Sequence, residues 1–218
     1  MKMSCYVCAL VIILAANGVS QAVPVAIETS AADFDSLLGG SAYAVDDAMV
    51  SDFSGGNLAA TVTSQAFTDG ADSFLYLYQL NNTGAANSEV ITRFTASPYA
   101  SADTSISLGY LTANIPTAFT AGDQAPLYGD VDTAAGPTVG FNFPVGNPFF
   151  GMPDSYIAGG ESSLVLYIQS SLAPGIVTGN VINGGVHSGD IIAPVPEPAT
   201  MCLLGLGSLA LIRRRKRA

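Results

Sequence analysis

The chain has 218 residues, 17 acidic and 7 basic, a formal net charge of −10, three cysteines, one histidine and no tryptophan. The charge is unevenly placed: Lys2, Arg213, Arg214, Arg215, Lys216 and Arg217 lie at the two ends, leaving Arg93 as the one base between residues 23 and 194, against sixteen acids, a formal −15. Such a surface repels nucleic acid and lacks the basic patch that phosphate contacts need, so DNA and RNA are excluded as partners.

Lys2 supplies a positive start, residues 5–16 an apolar run and Ser20-Gln21-Ala22 a small-x-small cleavage site. Together they read as a secretory signal peptide over residues 1–22, cut by signal peptidase between Ala22 and Val23. Cys5 and Cys8 fall before the apolar run is complete, too early for a lipid-anchored cysteine. With those two in the signal and Cys202 near the other end, residues 23–190 hold no cysteine and no disulfide, and their stability must come from a core. Roughly 170 residues suffice for one.

Residues 23–190 read as a single all-β domain, a β-sandwich or jelly-roll-like fold. Residues 74–80 and 164–168 are short aromatic and aliphatic runs bounded by turn residues, as expected of strands buried on both faces. Weaker alternation marks strands at 25–29, 43–50, 58–67, 90–96, 104–111, 138–143 and 176–182. Gly39-Gly40, Gly55-Gly56-Asn57, Asp69-Gly70, Asn81-Asn82-Thr83-Gly84, Gly122-Asp123, Gly159-Gly160 and Asn183-Gly184-Gly185 supply the turns between strands. Residues 33–38 can make one helical turn at most. Residues 113–152, rich in proline, glycine and alanine, are expected to form a long loop or irregular edge, in which Phe149 and Phe150 plug the end of the core or else form an exposed patch.

The chemical inventory is thin. A lone His187 and a cysteine-free body exclude thiol catalysis and a Cys/His zinc site. His187 lies in the turn-rich stretch 183–190 without a nucleophile elbow, so a surface-loop histidine is expected. Paired carboxylates for glycoside hydrolysis need only two acids about 5 to 9.5 Å apart, but such clefts are lined with aromatics and this chain has no tryptophan; a non-enzyme is expected. The acids Asp46, Asp47, Asp69, Asp72, Asp123, Asp130 and Asp132 offer hard oxygens without an EF-hand spacing. Solvated acidic turns are one reading and a calcium-stapled loop around Asp130 and Asp132 the other; no other cofactor is expected.

At the C-terminus, residues 191–198 read as a tether in which Pro196 and Pro198, fixed in φ and lacking N–H groups, keep Glu197 extended and exposed. Residues 199–218 read as a short transmembrane helix plus basic tail. Its apolar part, 199–212, is capped by Thr200. It rises about 21 Å at about 1.5 Å per residue, short of a hydrocarbon core of about 30 Å. The Arg213, Arg214, Arg215, Lys216 and Arg217 cluster rescues the span, because it snorkels to the interface and belongs on the cytoplasmic side. The order of Pro196-Glu197-Pro198, apolar helix and basic tail resembles the PEP-CTERM sorting signal, over residues 195–218, with Ala199 and Thr200 matching the usual following positions.

That resemblance implies an exported protein of a Gram-negative, polysaccharide-producing bacterium. It would be held in the inner membrane, recognised by an exosortase that cuts near the Pro-Glu-Pro motif, and passed to the cell surface or extracellular matrix. The expected role is a structural or interaction protein of that surface, associated with exopolysaccharide or biofilm. A carbohydrate-binding or adhesive module, with Tyr99, Tyr110, Tyr128, Phe149 or Phe150 stacking on extracellular polysaccharide, is the alternative, and a polysaccharide hydrolase a third.

Overall fold

A computed structural model describes residues 25–27, 29–40, 42–71, 73–86, 88–97, 106–132, 138–147, 149 and 152–195. The expected signal peptide with its Ala22–Val23 cut, Pro196, Glu197 and Pro198, the apolar span and the basic tail Arg213, Arg214, Arg215, Lys216 and Arg217 lie outside the described residues.

Alternating apolar and small polar side chains build thirteen strands among the described residues: β1 Val25–Ile27, β2 Ser30–Asp33, β3 Tyr43–Ala44, β4 Met49–Asp52, β5 Ala60–Thr68, β6 Phe74–Asn82, β7 Arg93–Ser97, β8 Ser107–Ala113, β9 Tyr128–Asp132, β10 Thr138–Asn142, β11 Leu166–Ser170, β12 Pro174–Ile182 and β13 Val186–Pro194. One sheet has the order β1-β9-β10-β7-β12-β13; the other has β2-β8-β11-β6-β5-β3, with β4 also on β5. Neighbours are antiparallel except β2 and β8, which run parallel.

The two sheets meet over Val62, Tyr76, Tyr78, Leu80, Leu166 and Ile168 from one and Phe94, Phe141, Val139, Val181 and Ile191 from the other. Tyr78 and Phe94 pack as tilted rings with centroids 5.4 Å apart. The opposite face of β6 and β11 is also buried. Leu75, Leu77, Val165 and Tyr167 lie there with Leu38, Phe67, Leu111 and Phe119. This explains why residues 74–80 are apolar at every position but Gln79, where simple alternation would serve a one-sided strand. At about 1.5 to 3 kcal/mol for each fully buried large apolar side chain, these two strands supply a large share of the stabilisation.

The cover of that second face is a 3₁₀ stretch, Phe34–Gly40, broken at Leu37, Leu38 and Gly39. Leu38 sits at φ 51, an unusual conformation for a branched residue, and its buried side chain packs with Phe67 and Leu75. Packing there outweighs the local backbone preference.

Several sequence expectations change. Residues 43–50 split into β3 and β4, and the expected loop 113–152 contributes β9 as well as β10, the strand expected at 138–143. The tether expected at 191–198 begins later: residues 191–194 are the buried last rungs of β13. Proline is tolerated there because β13 is an edge strand and Pro194 ends it. The Ile192 N–H is satisfied across the sandwich, donating to Ser64 Oγ of β5 at 3.1 Å.

Candidate functional site

The outer face of the β1-β9-β10-β7-β12-β13 sheet carries a polar row. Arg93 on β7 faces Asn142 on β10, and Asp130 on β9 faces Gly140 on β10. Arg93 Nη1 donates to Asp130 Oδ2 at 2.6 Å and Nη2 to Asp130 Oδ1 at 2.7 Å, a bidentate pair. Nη1 also donates to Asn142 Oδ1 at 2.8 Å, and Asn142 Nδ2 donates to Asp130 Oδ2 at 2.7 Å. The Asp130 side chain is 5% exposed and that of Arg93 28%. Glycine at 140 makes the crossing possible, since a Cβ there would fall 2.6 Å from Asp130 Oδ1 and 2.7 Å from Arg93 Nη2. The row continues through Asn180 Nδ2 to Thr95 Oγ1 at 3.3 Å and Ser188 Oγ to Asn180 Oδ1 at 2.7 Å.

This geometry counts against the second reading of Asp130 and Asp132, the calcium-stapled loop. Both oxygens of Asp130 are committed to a guanidinium on a strand, and the side chain of Asp132 lies outside the described residues. Two of the other acids are also engaged: Asp69 Oδ1 accepts from Ala71 N at 2.8 Å within its own turn, and Asp123 Oδ2 from Ser162 N at 3.0 Å across to another segment. Among the described residues no group of three or more His, Cys, Asp or Glu side chains could hold a metal ion. Asp52 ends β4 in a turn where the Ser54 hydroxyl, and then the Ser54 backbone N–H, hold its carboxyl below the usual carboxylate range.

His187, expected in a surface loop, lies on β13, half-buried, with its ring over Gly55 so closely that a Cβ on Gly55 would collide with Nδ1. Its place is a packing one.

Phe149 corrects another expectation. It does not plug the core: it is 94% exposed, at the tip of a braced loop in which Asn147 and Met152 exchange backbone hydrogen bonds at 3.0 and 3.1 Å. Asn147 Oδ1 accepts from Phe149 N at 3.0 Å and Asp154 Oδ1 from Gly146 N at 2.7 Å. Val145 and Met152 are exposed beside it. Of the other sugar-stacking candidates, Tyr128 is partly exposed next to the polar row, opposite Asn142, whereas Tyr110 packs against the core. Tyr99 and Phe150 lie outside the described residues. Among the described candidates, Phe149 and Tyr128 are exposed and Tyr110 is not.

The chain leaves the fold at the end of β13. Pro194 pairs with Pro174, Val195 N donates to Ala173 O at 3.0 Å, and the Val195 side chain covers Gly175. Beside this exit opens a cleft of about 450 Å³ lined by Asp46, Asp47, Met49, Pro174, Gly175, Ile176 and Ile192. Pro196 thus follows immediately on a residue hydrogen-bonded to the fold.

The sequence singled out Arg93 as a solitary base but not its partner, and it gave no sign that residues 191–195 were structural. A model described as the PEP-CTERM protein-sorting motif matches residues 194–217; its first two positions, Pro194 and Val195, therefore belong to the sandwich. No curated protein and no solved structure matches the chain. Among the described residues no helix is long and apolar enough to cross a membrane.

Proposed function

We propose that this chain, whose PEP-CTERM motif implies export, C-terminal membrane anchoring and processing by an exosortase, is a non-catalytic structural or interaction protein of the cell surface or of an exopolysaccharide matrix. The observation that carries this reading is the motif itself, continuous with the last strand of a β-rich fold. What could have been chemistry is occupied elsewhere: Asp130 is paired with Arg93, and His187 packs on Gly55. In this reading residues 1–22 are a signal peptide removed after Ala22.

Mass spectrometry of the protein recovered from its own cells tests it. The expected species starts at Val23 and has lost the Arg213 to Arg217 cluster. A surface protein retaining Met1 or Arg217 overturns the processing scheme.

One observation favours a second reading as a carbohydrate-binding or adhesive module: a fully exposed Phe149 on a loop braced to hold it out, with Tyr128 partly exposed on the sheet face. Aromatic faces of this kind stack on sugar rings. A glycan array decides between the two, since binding that is lost in Phe149→Ala or Tyr128→Ala favours the module, and absence of binding favours the structural protein. A hydrolase would release reducing ends from matrix polysaccharide, and none are expected.

A further inference from the structure

The place where the chain leaves the sandwich constrains how the sandwich sits while it is anchored. Val195 is the last described residue and is held to the fold through its N–H to Ala173 O, and the apolar segment begins at about Met201. Six chain steps of at most about 3.5 Å span no more than about 21 Å. The exit end of the domain is therefore confined close to the bilayer.

That end has a composition of its own. β5 runs toward it, with Gly189 beside the Asp52 backbone opposite Thr61, and Ile192 on Ser64. Tyr43, which pairs with Thr68 at the end of β5, and Val45, whose N–H reaches Ala66 O, share this pole. Tyr43 is 56% exposed and Ile176, in the exit-side cleft, 69%. Tyrosine and aliphatic side chains of this kind favour a membrane interface. No lysine or arginine occurs between residues 23 and 195 except Arg93, so nothing at this pole attracts anionic lipid, and Asp46 and Asp47 repel it. The opposite pole holds Phe149: its loop is stitched to the fold by Phe143 N to Thr92 O and Thr92 N to Ile182 O. Ile182 is eight residues along β12 from Pro174, about 26 Å at about 3.3 Å per residue.

We infer that, in the anchored state, the pole bearing Tyr43, Val45 and Ile176 rests on the zwitterionic headgroup layer and the Phe149 loop is presented outward. The inference rests on C-terminal anchoring as read above. The contact depends on the short connection, because a pole that sets the exposed Tyr43, Val45 and Ile176 beside Asp46 and Asp47 has little lipid affinity of its own.

The test uses the anchored full chain in zwitterionic vesicles, with Cys5→Ser and Cys8→Ser. Single fluorophores are placed at Ile176→Cys, Tyr43→Cys or Phe149→Cys in a Cys202→Ser background, and on Cys202 itself as a control. A headgroup-bound quencher is expected to cause loss of fluorescence at positions 176 and 43 but not at 149, and a Gly/Ser spacer between Val195 and Pro196 is expected to abolish that difference. Equal quenching at both poles without the spacer, or a difference that survives it, overturns the inference while leaving anchoring intact. A Cys202 label open to an aqueous quencher overturns the anchoring reading and this inference with it.

Discussion

The Arg93–Asp130 pair is the sharpest residue-scale feature, because fifteen other acids between residues 23 and 194 have no cation of their own. Removing Arg93 leaves a carboxylate that the sheet face shields from water, so Arg93→Met should cost about 3 kcal/mol. The double variant Arg93→Met with Asp130→Leu should cost clearly less than the two single changes summed, which chemical denaturation can measure. Gly140→Ala should destabilise through the same pair, since its Cβ would meet both partners. Only half of this was legible in the sequence. A lone base is visible in composition, but its partner lies 37 positions away, selected by the β7-β10-β9 register. Asp52 offers a second test. Its folded carboxyl lies below the unfolded value of about 3.9, so its turn contributes stability above that pH and loses it as pH falls through the lower folded value. Carboxyl-carbon NMR should place the Asp52 midpoint below those of the chain's freely solvated aspartates, and Ser54→Ala should raise it.

At the scale of elements, β13 shows where periodicity reading stops. Ile191-Ile192-Ala193 followed by Pro194 and Pro196 looks like a tether because proline cannot continue a central strand. The structure places residues 191–194 on an edge, where the ladder with β12 continues to Pro194 and the opposite sheet supplies Ser64 to the Ile192 N–H. Truncation after Val195 should leave the melting temperature of the domain unchanged. Truncation after Asp190 removes four buried residues and should unfold the domain or lower its melting temperature sharply, as circular dichroism would show. By the same logic, β6 was legible because burial on two faces leaves an uninterrupted apolar run. β9 was missed because Tyr128-Gly129-Asp130-Val131-Asp132 contains poor strand formers, ordered by the ion pair and by β10.

For the molecule as a whole, the all-β class could be read from short strands and frequent turns, whereas the sheet order could not, since strands adjacent in sequence, such as β1 and β2, enter different sheets. Charge sets a competition that can be measured at this scale. One bidentate pair gains from low ionic strength, while the surplus of fifteen negative charges between residues 23 and 194 loses by mutual repulsion. The pair is shielded from water and weakly screened; the surplus acids are mostly on the surface, where a Debye length of about 8 Å at 0.15 M salt suppresses their repulsion. Repulsion should therefore dominate, and the melting temperature should rise as sodium chloride increases toward 0.15 M. A fall would mean that the Arg93–Asp130 attraction outweighs the surplus. Calcium at matched ionic strength should then act only as a screening ion, with a melting temperature equal to that in chelator, because Asp130, the one buried carboxylate among the described residues, already has both oxygens occupied by a guanidinium.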